Sequence, residues 1–176
     1  MTETAVFGGG CFWCTEAIFA SLKGVESVMP GYAGGKMTHP TYHDVSEGST
    51  GHAEVIKIEF DPGVIPYHDL LDVFWHTHNP TSLNRQGNDV GTQYRSVILY
   101  TSEEQKKIAE ESLKKLVDSK TYESQVVTEI KPLDTFYEAE SYHKDYYAKH
   151  SDEPYCELII SPKLQKLREK YSDKLK

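Results

Sequence analysis

The chain is poor in cysteine: three in 176 residues, at positions 11, 14 and 156. That is too few for the dense disulfide framework that staples small secreted domains. There is one CxxC and no second pair, and the histidines (His39, His43, His52, His68, His76, His78, His143, His150) are scattered. A four-ligand zinc site therefore lacks its ligands, and His76-x-His78 has no partner set. No apolar run approaches the roughly 20 residues of a membrane span. The first ten residues carry no Lys or Arg, and the apolar run before Cys11 is only Ala5-Val6-Phe7, which speaks against a secretory signal. Positive charge is short too, with 19 Lys and Arg against 27 Asp and Glu for a net charge of −8. A nucleic-acid partner would call for a basic face. The lysine-rich end, KLQKLREKYSDKLK, is broken by Glu169 and Asp173 and reads as a solvated helix face. These absences describe a cytoplasmic protein with reduced thiols at rest, with neither membrane nor nucleic acid as a partner.

What remains suits one globular domain with a sizeable core. Hydrophobic residues make up 38%, and twelve tyrosines give an unusual supply of phenol hydroxyls. No repeat, low-complexity run or linker divides the chain, so residues 1–176 read as a single catalytic domain, with 150–176 a C-terminal tail ending in a helix.

Residues 4–8 suit a short strand, 12–23 a helix stopped by Gly24, and 25–33 an interrupted strand. A polar loop runs from Gly34 to about Gly51. Residues 52–60, HAEVIKIEF, alternate: Glu54, Ile56, Ile58 and Phe60 share one face, which is the more apolar. Residues 66–78 read as a helix with Leu70, Leu71, Phe74 and Trp75 on its apolar side. The connection 79–95 is long and rich in Asn, Gly and Gln, a length at which loops are often functional. A strand at 96–100 precedes a helix capped by Ser102, with Gln105 completing a capping-box pattern. A strand near 125–130, a short helix near 138–149 and a last helix from about Pro162 complete the order. The path β-α-β-β-α-β predicts an α+β two-layer sandwich of ferredoxin-like type with a mixed sheet and an extended C-terminal tail.

The chemistry gathers at GGGCFWC, residues 8–14. Cys11 sits where a strand and glycines hand over to a helix start, and the helix end favours an anion there. Such a position can lower a thiol pKa into the range of about 3.5–7.5, which suits a nucleophile. Cys14, one turn on, fits either a disulfide partner or a small packing residue. Glu54 extends a core-facing row, where a carboxyl must be paired or protonated. A protonated carboxyl is a usable acid at neutral pH.

GCFWCTEA, PTYHDV, GSTGHAEV, FDP, NRQGNDVGTQYRS and EAESYHKDYY occur in order, and together they closely resemble peptide methionine sulfoxide reductase A from Gly8 to about Pro162. The resemblance implies reduction of methionine S-sulfoxide, free or in oxidised proteins, with thioredoxin as electron donor and no metal or organic cofactor. It implies Cys11 as nucleophile and Phe12 and Trp13 as the cage for the substrate's terminal methyl. Glu54 would be the acid for the sulfoxide oxygen, Tyr42 and Tyr94 its phenol donors, and Asp89 a carboxylate lining the site. It places Cys156 where the family often carries a recycling cysteine, so Cys156 is the expected resolving thiol and Cys14 the alternative. The cluster Tyr137, Tyr142, Tyr146 and Tyr147 reads as packing, with Tyr142 and Tyr146 paired at helical spacing. A thioredoxin-like disulfide oxidoreductase using Cys11 and Cys14 alone is the competing activity, and a non-enzymatic metal-binding module a more distant one.

Overall fold

The computed structural model describes residues 2–176. Strand β1 (Glu3–Gly9) leads into helix α1 (Phe12–Ala20), then β2 (Val25–Ala33) and a five-residue helix, α2 (Tyr42–Ser46). Strand β3 (Ala53–Phe60) is followed by α3 (Tyr67–Thr77), the small strands β4 (Arg85–Gln86) and β5 (Asp89–Val90), and β6 (Ser96–Tyr100). Helix α4 (Glu103–Asp118), strands β7 (Glu129–Pro132) and β8 (Phe136–Glu138), and helices α5 (Tyr146–His150) and α6 (Ser161–Tyr171) complete the chain.

The main sheet runs β7-β6-β1-β3-β2-β8. Every pairing is antiparallel except β6 with β7, so the sheet is mixed, in a mixed α+β architecture. Its two faces differ as the alternation in β3 requires. Ile56, Ile58 and Phe60 join Ala5, Phe7 and the helices in the larger core, while Ala53 and Val55 join Val6, Val97 and Leu99 in a smaller one under Leu133 and Phe136. Phe7 anchors the helix side, with ring centroids 5.0 Å from Phe74 and 5.6 Å from Phe19. No helix among the described residues is long and apolar enough to cross a membrane.

Several expectations change in detail. The loop expected at 34–51 contains α2, started by a reciprocal cap in which Thr41 Oγ1 accepts from Asp44 N at 3.1 Å and Asp44 Oδ2 accepts from Thr41 N at 3.0 Å. The cap on α4 forms as expected on the Ser102 side, at 3.2 Å to Gln105 N, but the Gln105 carboxamide reaches Thr101 N instead of the cap residue. The helix expected over 138–149 is not continuous. Strand β8 ends at Glu138, a 3₁₀ turn covers Ser141–His143, and α5 begins only at Tyr146. Asp145 between them takes φ 55°, which an α-helix excludes, so Tyr142 and Tyr146 do not share a helix face. The tail packs against the body of the fold. A π-helical turn at Cys156–Ile160 runs into α6, and Cys156, Ile160, Leu164, Leu167 and Tyr171 are buried in the larger core.

Candidate active site

Gly10, at φ 98°, lets β1 swing into α1, and a side chain there would meet Gln86 at 2.9 Å. Cys11 is the extended residue at the head of α1. The fold brings Glu54, Tyr42, Tyr94 and Asp89 to it from separate segments. Glu54 comes from β3 on the helix side of the sheet, is 1% exposed, and accepts a hydrogen bond from Phe12 N at 3.2 Å. Tyr42 is carried by α2 and Tyr94 by the 3₁₀ turn Thr92–Tyr94. Asp89 lies on β5, in a hairpin pinned by Gln86, whose buried carboxamide bonds Asn79 N at 3.0 Å and Asn79 O at 2.6 Å.

Burial drives the electrostatics. It raises the Glu54 carboxyl from 4.5 to about 8, with Asp89 and Cys14 adding to the rise and the Phe12 N–H opposing it. Glu54 is therefore protonated at neutral pH and able to donate. Burial also raises the Tyr42 and Tyr94 phenols, and both feel Glu54, Cys11 and Asp89. For Cys11 the outcome is the reverse of what a helix start alone implies. Desolvation, the neighbouring Cys14 thiol and the Glu54 carboxyl raise it, against the Trp13 N–H. Cys14 is pulled down to about 7, first of all by Cys11 beside it. The two thiols lie close enough to titrate as a pair.

The aromatic pair separates. Trp13 is half-buried, stacked on Tyr146 with ring centroids 3.7 Å apart and planes 5° from parallel, and its indole N–H donates to His143 Nδ1 at 2.9 Å. Phe12 is 0% exposed, packed beneath Tyr32, Tyr42 and His143. Cys156 is buried as well. His78, one half of the His-x-His pair, turns inward, bonding the Phe74 carbonyl at 2.5 Å and Ser96 Oγ at 2.7 Å.

Four residues of this neighbourhood were not singled out in the sequence for a role there. Tyr155 donates to Asp89 Oδ2 at 2.8 Å and its oxygen lies 3.7 Å from Cys14 Sγ. Glu140 accepts from Tyr32 Oη and from Tyr42 N, both at 2.9 Å. His143 and Tyr146 hold Trp13. All four lie beyond residue 138, where nothing in spacing announces a return to the first helix.

A thiol pair with a buried carboxyl and two phenols near it, on a mixed α+β scaffold, has the groups of a cysteine-based redox protein. Comparison with known proteins makes this narrower. The chain matches the family described as peptide methionine sulfoxide reductase over residues 3–175 and belongs to that family. It is 56% identical over 174 residues to the peptide methionine sulfoxide reductase MsrA of Saccharolobus solfataricus, covering 99% of this chain and 97% of that one. It resembles the crystal structure of reduced Mxr1 from Saccharomyces cerevisiae with a TM-score of 0.82 at 31% identity, over 88% of this chain and 89% of that one. Mxr1 in complex with Trx2 matches with a TM-score of 0.53 at 24% identity, over 82% and 84%, a likeness of fold alone.

Proposed function

We propose that this protein reduces methionine S-sulfoxide, free or in oxidised proteins, to methionine, with thioredoxin as the eventual reductant. The observation that carries the reading is Glu54: a carboxyl kept neutral by burial, one residue's reach from the head of α1 where Cys11 stands. A sulfoxide sulfur resists attack while its oxygen keeps its negative charge. Protonation by Glu54, with hydrogen bonds from Tyr42 and Tyr94, relieves that.

In the first step the Cys11 thiol gives its proton to the Cys14 thiolate and its sulfur attacks the sulfoxide sulfur, while Glu54 protonates the oxygen. The sulfur–oxygen bond and the new sulfur–sulfur bond then break as the hydroxyl passes to the Cys11 sulfur, which leaves a sulfenic acid on Cys11 and releases methionine with the electron pair of the sulfur–sulfur bond. In the second step a thiol displaces that hydroxyl, forming a disulfide and water, and a dithiol reductant then reopens the disulfide by exchange. We assign the resolving thiol to Cys14 ahead of Cys156. Support comes from the short reach between Cys11 and Cys14, one turn apart at the head of α1, where each thiol shifts the other's pKa. Trp13 forms the wall against the substrate methyl, Phe12 backs it from the core, and Asp89 orients Tyr155 beside the sulfurs. The assignment of thioredoxin follows the family resemblance, and Mxr1, similar in its reduced form at 31% identity, is itself known in complex with Trx2. We further read residues 1–176 as one cytoplasmic catalytic domain, and the β1-α1-β2-β3-α3-β6 path, with strand order β6-β1-β3-β2, as of ferredoxin-like type.

The test is turnover of separated S and R epimers of a methionine sulfoxide with dithiothreitol. Reduction of S is expected, and reduction of R alone would overturn the proposal. A pure disulfide oxidoreductase would reduce neither.

A further inference from the structure

We infer that Gln93 is a positioning residue for this reaction, a brace that ties the helix carrying Tyr42 to the turn carrying Tyr94 and so fixes one phenol relative to the other. The inference rests on the reading of Tyr42 as a donor to the sulfoxide oxygen. Two donors serve one oxygen only when their separation is fixed, and these two come from segments far apart in the chain. Gln93 precedes Tyr94 in the 3₁₀ turn Thr92–Tyr94, yet its side chain turns away from solvent and the residue is only 4% exposed. Its carboxamide Nε2 donates to the carbonyl of Ser46, the last residue of α2, at 3.2 Å. That carbonyl is one of those a helix end leaves without an internal partner. Thr92 Oγ1 adds a longer bond to Gly48 O, just beyond the helix, at 3.4 Å.

The two partners are not held equally. The turn is fixed from the sheet: Arg95 Nη1 donates to Thr92 O and Arg95 Nε to Glu129 Oε1, both at 3.0 Å. Helix α2 has five residues, too few to be stable by itself, and of these Val45 alone is buried. Glu140 holds the Tyr42 N–H at one end of α2 and Gln93 holds the other. Without the brace α2 can rock about its first residue, and the Tyr42 ring moves with it. Stability does not account for this glutamine. Its Oε1 is buried with no hydrogen-bond partner among the described residues, which costs free energy. Ser46 is exposed, so its carbonyl can turn to water when the carboxamide is removed. Gly91, at φ 146°, leaves room for the carboxamide, which a side chain at that position would strike.

A donor that answers charge moving on the sulfoxide oxygen acts mainly in the transition state, so a misplaced phenol lowers kcat more than it raises KM. With dithiothreitol as reductant, Gln93→Met should lower kcat for methionine S-sulfoxide about tenfold and change KM little. The same variant should unfold at the wild-type urea concentration or slightly above it, since it removes a buried acceptor that has no partner. The loss in kcat should vanish in a Tyr42→Phe background and persist in a Tyr94→Phe background, a pattern that general loosening of the fold does not produce. An unchanged kcat, an equal loss in both backgrounds, or a Gln93→Met chain that fails to fold or unfolds at lower urea overturns the inference alone. A Tyr42→Phe variant with wild-type kcat removes the reading of Tyr42 as a donor, and the inference with it.

Discussion

Replacing Glu54 with Gln tests the acid by two independent measurements, one of stability and one of turnover. The Glu54 carboxyl stands at about 8 in the folded chain against 4.5 for an ordinary glutamate, chiefly because it is buried. Between those values the folded protein keeps a proton that the unfolded chain has released. Stability therefore falls as the pH rises through that window. The gap is about 3.5 pH units at about 1.4 kcal/mol each, so the loss reaches about 5 kcal/mol by pH 9. Glutamine cannot ionise, so the variant escapes that slope. Its own cost, a buried carboxamide N–H without a partner, is about 1–3 kcal/mol and does not depend on pH. The variant should be slightly less stable than wild type at pH 4.5 and more stable by roughly 2–4 kcal/mol at pH 9. Urea unfolding of both proteins at the two pH values measures this, and titrations elsewhere cancel in the difference. Turnover should fall by about 10²–10⁴ in the variant, the worth of a positioned general acid. Wild-type activity should decline above about pH 8, where Glu54 loses its proton, and the variant's residual activity should lack that limb. An identical stability difference at both pH values would mean that Glu54 is ionised at neutral pH, and the acid role would fall with it.

Cys14→Ser should complete one turnover, stop with a trappable sulfenic acid on Cys11, and fail to recycle with thioredoxin, whereas Cys156→Ser should recycle; disulfide mapping by mass that finds the reverse refutes the order given to the two thiols. Gly10→Ala places a methyl group 2.9 Å from Gln86 carbons at a φ of 98°, so it should cost about 1–3 kcal/mol and, by loosening the hairpin that bears Asp89, lower activity more than other glycine variants of equal stability loss. Phe7→Ala removes a fully buried ring packed against Phe19, Tyr67 and Phe74, so denaturant unfolding should show a loss of about 3–5 kcal/mol.

Alternation made β3 legible, and with it the side of the sheet on which Glu54 lies, because a strand buried on both faces still divides its residues between two cores. Strand, glycine and helix signals placed Cys11 at the head of α1 for the same local reason. The convergence of Tyr42, Tyr94 and Asp89 on Cys11 was not legible from spacing, since it depends on long-range packing, and it entered through resemblance to a family. Helix α2 escaped notice although Thr41-x-x-Asp44 is a capping pattern, because its single apolar residue in the core, Val45, gives no periodicity. The region after residue 138 was the least readable. Its tyrosines suggested one amphipathic helix, whereas Asp145 breaks the chain into two short turns, and that break lets His143 and Tyr146 approach Trp13 from different directions.

The thiol pair gives a reason for a nucleophile that rests protonated. A methionine sulfoxide arrives neutral, and a site holding a neutral Cys11 and a neutral Glu54 receives it without burying fresh charge. As the sulfur–sulfur bond forms, the Cys11 proton passes to the Cys14 thiolate and the sulfoxide oxygen takes the Glu54 proton. The donors are thus in place before the charge they answer, which is where electrostatic stabilisation is most effective. The transfer that activates Cys11 also leaves Cys14 protonated beside it, and when the sulfenic acid forms, that thiol supplies both the attacking sulfur and the proton that leaves with hydroxide as water. One thiol, a helical turn from the nucleophile, would thereby serve the attack and its resolution in turn.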